Sequence, residues 1–497
     1  MKTISTVLMC WVLVLPAGAK DARPNFVFLL TDDQTTYSLG CYGNGDVKTP
    51  HIDRLGEAGI IFDKHYVTTA ICMASRVNIM TGRFEFRNGC NFEHGSLVRS
   101  IWMESYPVLL REAGYRTAIA GKIGFVVSDE PGGRGSLPEG DFDAWGAGPG
   151  QTHYDTAKNK SMAKYAEEYP HSTLSYGAFG SDFIAEAAQG DRPFCLSISF
   201  KAPHKPATPD PRFDDVYRGK TFKKPANYGR KFGEHFSKQS RQGRQYERFH
   251  SWNYSDKYDE VMATYHQQIH AVDVAVGMIR EALGKHGVAH NTVVIFTSDN
   301  GFFCGSHGYG SKVLPYEESS RVPMIMFDPR HANSGRKLRS DALTGNVDFA
   351  PTMLQMAGVK VPEGMDGKSL LPLYEDPAAA IHEALPLINV WGPSAVHSLA
   401  VVTRDEKFIY WPWAEGEFEA TEELYLTGRD PLELKNELNN PEQAGTLREM
   451  RRRYDQLVGR WKLEAVKHND YERFGTLFDR AVRWEEKGVP IKRRPRP

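Results

Sequence analysis

Two distant stretches of this chain are apolar for the length of a strand and then stop in acids. Asn25-Phe-Val-Phe-Leu-Leu30 ends in Thr31-Asp32-Asp33, and Thr292-Val-Val-Ile-Phe-Thr297 ends in Ser298-Asp299-Asn300-Gly301. A strand that is apolar at every position is buried on both faces, as in a parallel sheet covered by helices. Acids directly after such a strand lie at its carboxyl end, where open α/β sheets place their ligands. Adjacent carboxylates repel unless a cation sits between them; the alternative is a helix N-cap beside a solvated neighbour. Recurrence of the pattern favours the cation. Asp32, Asp33, Asp299 and Asn300 offer only oxygen donors, which suits Ca²⁺ or Mg²⁺ and not Zn²⁺.

Two further strand-like runs end in cations. Tyr115-Arg-Thr-Ala-Ile-Ala120 leads into Gly121-Lys122, and Phe194-Cys-Leu-Ser-Ile-Ser-Phe200 leads into Lys201-Ala-Pro-His204. From Asp259 to Lys285 the residues Val261, Tyr265, Ile269, Val272, Val276, Ile279 and Leu283 form an apolar helical stripe, with Gly284 and Gly287 as stops. Helix then strand in alternation predicts an α/β fold with a large, mostly parallel sheet sandwiched by helices. Pro362 and Asp376-Pro-Ala-Ala-Ala380 mark a boundary. Beyond it, Leu399–Val402 and Lys407–Trp411 read as antiparallel strands, Glu423–Glu433 as a strand and turn, and Pro441 to about Lys467 as a charged helix. The expected division is a signal segment at 1–19, a main domain at 20–380 and a smaller C-terminal α+β domain at 381–497, ending in a basic tail.

The signal reading rests on Met1-Lys2, the apolar Val7–Leu15 and Ala17-Gly-Ala19, a run too short to span a membrane. It predicts an exported protein, periplasmic or extracellular, with no membrane span. A net charge of −1 over 497 residues argues against a nucleic-acid partner. Six cysteines include Cys10 in the signal segment and form no dense framework, so pairing is not readable from their spacing.

One cysteine stands apart. Cys72-Met-Ala-Ser-Arg76 follows the β-prone run Tyr66–Ile71, and Met73, Val77 and Met80 recur at helical spacing up to Gly82. This puts the sulfur near a helix N-terminus, which attracts anions, with Arg76 one turn on. A small buried cysteine starting an ordinary helix is the plain alternative.

Cys-x-Ala-Ser-Arg followed by Thr81-Gly82-Arg83 resembles the signature of the type I sulfatases, within the alkaline-phosphatase-like superfamily. The resemblance extends through Gly121-Lys122, Ala202-Pro-His204, Gly305-Ser-His307-Gly, Lys312, Tyr316-Glu…Arg321-Val-Pro and Asp348–Leu354. It implies that Cys72 is oxidised to Cα-formylglycine, whose hydrated aldehyde attacks sulfur. It also implies that Asp32, Asp33, Asp299, Asn300 and the formylglycine oxygen at Cys72 hold one divalent cation, usually Ca²⁺, with Mg²⁺ as the alternative. Arg76, Lys122 and Lys312 would bind the sulfate, and His204 would protonate the leaving oxygen; without the resemblance, His204 reads as a surface residue. Arg321 is expected to be structural. Where the family often carries a His two residues beyond the Lys, this chain has Gly124. Ala74 fits either a formylglycine-generating enzyme or an anaerobic sulfatase-maturing enzyme as partner.

From Arg218 to Phe249 ten Lys or Arg stand against two acids, interleaved with Phe222, Tyr228, Phe232, Phe236, Tyr246 and Phe249. The segment is expected to leave the core, either as a solvated insertion or as a lid with positive subsites and rings for sugar faces. His307, Arg87, His94 and His153 are candidate substrate contacts. The implied function is hydrolysis of sulfate monoesters on a sulfated carbohydrate. The alternatives are a phosphomonoester or phosphonate ester hydrolase on the same fold, and a weakened sulfated-glycan binder.

Overall fold

The computed structural model describes residues 23–488. The signal reading at 1–19 and the basic tail at 492–497 lie outside the described residues. The main-sheet strands are β1 (Asn25–Thr31), β2 (Ile60–Phe62), β3 (Arg116–Lys122), β4 (Ala144–Gly148), β5 (Phe194–Ser199), β6 (Thr292–Ser298), β7 (Met324–Phe327) and β8 (Leu338–Ser340). They lie in the order β8-β2-β7-β6-β1-β5-β3-β4. The pairs from β6 through β1, β5 and β3 to β4 are all parallel, and β7 runs against both of its neighbours. The expected mostly parallel sheet is therefore present, with one antiparallel strand in it.

Alternation along the strands separates two cores. Val27, Leu29, Leu196, Ile198, Val294 and Phe296 pack on one face; Phe26, Phe28, Leu30, Cys195, Val293 and Ile295 pack on the other. Both sets are apolar because helices cover both faces. Helix α1 (Cys72–Thr81) presses Val77, Ile79 and Met80 into the second core. Helices α2 (Ser172–Ala187) and α4 (Tyr258–Lys285) cover the first, α4 with Tyr265, Ile269, Val272, Val276, Ile279 and Leu283. Between them in sequence lies the shorter α3 (Arg244–Ser251).

After the main sheet come β9 (Leu385–Asn389), β10 (Ser398–Val402), β11 (Lys407–Trp411) and β12 (Thr421–Tyr425), an antiparallel sheet in sequence order, followed by α5 (Ala444–Glu464). Its apolar face shares a cluster with Tyr66, Phe84, Phe86, Tyr309 and Tyr316 of the main body.

Two expectations need correction. Tyr66–Ile71 is strand only at Tyr66, paired through His65–Tyr66, because the chain turns there to start α1. The 218–249 segment does not leave the core: Phe222, Phe236 and Phe249 are buried, and Phe236 stacks on Tyr316 with centroids 3.7 Å apart. Its aromatic residues take the place of the missing aliphatics, so they are packing groups and not free platforms.

Glu85 ties the body to the C-terminal part. Its fully buried carboxylate accepts hydrogen bonds from Thr69 Oγ1 (2.8 Å), Asn91 Nδ2 (2.7 Å) and Tyr471 OH (2.5 Å). Burial outweighs these donors and lifts the acid from 4.5 to about 7. The folded state therefore holds this proton more tightly than the unfolded chain, and its contribution to stability is lost as pH rises from about 4.5 to about 7. Glu85→Gln should be more stable than the native chain at pH 8, by on the order of 2–3 kcal/mol, and near parity at pH 5. Denaturant titrations of both proteins at the two pH values check this.

Candidate active site

Parallel register gathers the ends of four strands. Thr31 of β1 is level with Ser298 of β6, Leu30 with Ser199 of β5, and Ser199 with Gly121 of β3. Asp32, Asp33, Asp299, Asn300 and Lys122 therefore emerge side by side, and all are essentially buried. Helix α1 points its first residue, Cys72, into this cluster, and Gly82 ends it in the left-handed conformation at φ 64°.

Arg76, one turn into α1, is fully buried. Its Nε pairs with Asp299 Oδ2 at 2.8 Å, Nη1 donates to Ser199 Oγ at 2.5 Å and to the Lys122 carbonyl, and Nη2 lies 3.4 Å from Asp32 Oδ2. Lys122 pairs with Asp32. Lys312 pairs with Asp33, and its Nζ lies 2.7 Å from Cys72 Sγ and 3.6 Å from Asp32 Oδ1. Cys72 Sγ is 3.4 Å from Asp32 Oδ1.

These contacts set the protonation states. Burial works to raise the Asp32 carboxyl, but Lys122, His204, Lys312 and Arg76 together hold it well below the usual carboxylate range. Asp299 goes the other way, to about 6, through burial and the Asp32 charge. Burial and Asp32 push the Cys72 thiol up to about 11, so the unmodified sulfur is protonated at neutral pH and is a weak nucleophile. Against the cost of burial, Asp33 and Asp32 keep Lys312 charged.

The donor set fits a hard cation. Asp32, Asp33, Cys72 and His204 can each bring one ligand atom within 4.8 Å of the others. Cys72 Sγ stands at the position of the expected formylglycine oxygen. Asn300 Nδ2 donates to Asp33 Oδ1 at 2.7 Å, while Asn300 Oδ1 is buried with no hydrogen-bond partner, the state of an acceptor waiting for a positive charge. Asp299 is engaged by Arg76, and its Oδ1 accepts from the Asp33 backbone N–H at 3.3 Å.

His204 lies at the edge, Nε2 3.8 Å from Asp33 Oδ2, with Nδ1 buried and unpartnered. Burial lowers its pKa to about 4 in spite of the two nearby carboxylates, so the ring is neutral at neutral pH. At Gly124 an added Cβ would sit 2.9 Å from Arg76 Cδ, and φ is +83°. The packing of Arg76 thus takes the space a side chain would need.

The other predicted contacts are placed differently. His307 is fully buried, with Nδ1 2.8 Å from the Phe232 carbonyl and Nε2 2.9 Å from Asn227 Nδ2. His94 is buried against Tyr471 and Phe474, with Nε2 2.9 Å from the Val390 carbonyl. Arg87 pairs with Asp366 and Glu464. None of these three is brought to the strand ends. His153 is exposed, two residues from Gln151. The Gln151 carbonyl accepts from Lys201 Nζ at 2.9 Å. Lys201, the strand-end cation to which the sequence assigns no role, is also here: it is buried, and burial lowers its pKa against the pull of Asp32 and Asp33. Its position at a strand end was the available signal.

Among the described residues no disulfide is formed; Cys41, Cys72, Cys90, Cys195 and Cys304 are thiols. No helix there is long and apolar enough to cross a membrane.

Comparison with known proteins gives a consistent picture. A family model described as Sulfatase matches residues 24–359, and one described as N-sulphoglucosamine sulphohydrolase, C-terminal, matches residues 305–459. An N-acetylglucosamine-6-O-sulfatase of Bacteroides thetaiotaomicron is 29% identical, over 88% of this chain and 86% of its own. An N-acetylgalactosamine-6-sulfatase of Rattus norvegicus is 27% identical, over 75% and 71%. A structure solved with its substrate, D-glucosamine-2-N,6-O-disulfate, superposes with a TM-score of 0.75 at 26% identity, covering 90% of this chain and 99% of that one.

Proposed function

The chain belongs to the sulfatase family and is a sulfuric ester hydrolase, and from that premise we propose that it is an exported enzyme releasing sulfate from a sulfated carbohydrate. In this reading residues 1–19 are the signal segment, 20–380 the catalytic domain and 381–497 the smaller domain. The observation that carries the site assignment is the packing of Arg76, Lys122 and Lys312 around Cys72, all three at most 6% exposed. Such a group of buried cations next to one reactive position suits a charged ester whose oxygens repel an unassisted nucleophile.

Charge counting shows what a cation would add. Asp32, Asp33 and Asp299 balance Arg76, Lys122 and Lys312, so a divalent ion leaves the pocket net positive for a sulfate monoanion. Asp32, Asp33, Asp299 and Asn300 would hold it, with Ca²⁺ first and Mg²⁺ second by their oxygen-only chemistry. When bound, it supplies positive charge against that developing on the sulfate oxygens. The formylglycine made from Cys72 supplies a hydrated aldehyde as nucleophile.

This chain's own residues do the rest. Arg76 is fixed by Asp299, Ser199 and the Lys122 carbonyl, so its remaining face costs no reordering when it meets a sulfate oxygen. Lys122 and Lys312 exchange carboxylate for sulfate contacts. His204 holds the proton for the leaving oxygen: an arriving sulfate ester adds negative charge beside the ring and raises its pKa from the low value burial imposes. Cys72 is 2% exposed, so the maturing enzyme has to reach it before α1 packs.

The test is sulfate release from a panel of sulfated monosaccharides and oligosaccharides, with an aryl sulfate and a phosphonate monoester alongside. Release from the sugars is expected. Turnover of the phosphonate with no sulfate release from any ester would contradict the reading.

A further inference from the structure

The segment from Lys205 to Trp252 gathers positive charge beside the sulfate pocket without using it there. Arg248, on α3, donates from Nη1 to Ser311 Oγ at 2.8 Å, one residue before Lys312. Its guanidinium lies 4.1 Å from the centre of the Trp252 ring, and Lys205 Nζ, next to His204, lies 5.0 Å from the same ring. Trp252 in turn stacks on Phe302, two residues beyond Asn300, with centroids 5.9 Å apart. One helical turn before Arg248, Arg244 lies 4.3 Å from the centre of the Trp391 ring. Trp391 packs with Ile71 and Ala74, which bracket Cys72, and with Val313, which follows Lys312.

Three cations are thus seated on two indoles, each anchored to the segments that carry the catalytic groups. The hydrogen bond of Arg248 goes to a neutral hydroxyl, and both it and Lys205 lie against a ring face instead of in an ion pair among the described residues. Arg244 is exposed, while Arg248 and Lys205 are half-buried. The charges act on one another. Burial and then Arg244 lower Arg248 to about 10, against the pull of Asp33 and Glu247. Burial lowers Lys205, with Arg248 adding to it. Arg248 and Lys205, two like charges resting on one ring with no ion pair among the described residues, are placed to receive an anion.

We propose that Arg244, Arg248 and Lys205 form a second anion subsite, so that the preferred substrate is a saccharide with another anionic group, sulfate or carboxylate, near the scissile sulfate. This rests on the sulfatase reading and narrows its substrate class. Ser311 and Lys312 are neighbours, about 3.8 Å apart at Cα, so the two anion sites are close enough for one sugar unit or two adjoining ones.

The test compares kcat/KM on a hexose bearing one sulfate ester, the same hexose with a second sulfate, and a uronic acid bearing one sulfate ester, using native enzyme, Arg248→Gln and Arg244→Gln. Native enzyme should prefer at least one doubly anionic substrate by about tenfold or more, chiefly through KM, and added salt should shrink the preference. Each variant should cut that ratio by about tenfold, and whichever anion is preferred identifies the source. Arg244→Gln is exposed, so it reports even if Arg248→Gln folds poorly. An equal ratio in native and variant enzymes overturns the subsite while leaving the sulfatase reading intact. Absence of sulfate release from all three esters overturns both.

Discussion

Cys72→Ala should abolish sulfate release, a fall of at least about 10⁴-fold in kcat. The side chain is 2% exposed and small, so the protein should still fold and keep its thermal midpoint close to that of the native chain. The expected size follows from how the site is arranged. In the proposed reading Arg76, Lys122 and Lys312 would bind and polarise an ester but bring no nucleophile of their own, and the Ser199 hydroxyl is occupied by Arg76. Initial-rate assays on a sulfated sugar, with circular dichroism as the folding control, check the result. Residual activity within about tenfold of native would place the nucleophile elsewhere.

Lys407→Met should destabilise the protein by about 3–5 kcal/mol. Lys407, on β11, is fully buried, with Nζ 2.7 Å from Glu317 Oε1 and 2.8 Å from Glu433 Oε1. Glu317 also receives Arg321 Nε at 2.7 Å and Tyr66 OH at 3.0 Å. Arg321 is thus held in this ion-pair cluster. Burial and the neighbouring acids act on the two glutamates unequally: Lys407 and Arg321 overcome burial at Glu317 and bring it to about 2, whereas Glu433 is pushed up to about 8. Removing the ammonium leaves the Glu317 carboxylate with Arg321 as its one counter-charge, beside the Glu433 acid, in a dry joint between the small sheet and the Glu317–Ser320 turn, whose chain leads back to Lys312. Activity should fall with stability for that reason. Changing Glu317 and Glu433 to Gln as well should recover much of the loss, since an uncharged cluster has no unpaired ion to bury. Denaturant midpoints of the native, single and triple variants test both statements, and a single variant within 1 kcal/mol of native, taken as about the size of an exposed pair, would contradict them.

The most legible parts of the chain were those where local pattern and tertiary role coincide. Strands β1 and β6 are buried at every position and mostly apolar because both faces are covered, and the acids after them stand out against that background. Helix α1 starts at Cys72 and stops at Gly82, as its spacing and its glycine suggested. The short strands β2, β7 and β8, of three or four residues each, carry too few positions for a period to register. Buried charge was the larger difficulty. Lys407 opens a strand that reads as Lys-Phe-Ile-Tyr-Trp, and nothing nearby in sequence shows that Glu317 and Glu433 await it. The 218–249 segment looks solvated in sequence for the same reason: Arg244 and Phe236 find their partners at Trp391 and Tyr316, across long stretches of chain. His94 and His307 carried catalytic-looking chemistry but satisfy internal carbonyls. At Gly124 the sequence shows a missing side chain, and the structure shows Arg76 running where that side chain would stand.

The most direct measurement is peptide mass spectrometry across Cys72–Arg83 on a preparation co-expressed with a maturing enzyme and already shown to release sulfate from a sulfated sugar. The account predicts that the sulfur of Cys72 has been replaced by the aldehyde oxygen of formylglycine, and that specific activity rises in proportion to the converted fraction. Sulfate release at full rate from protein whose Cys72 is entirely unmodified would contradict it.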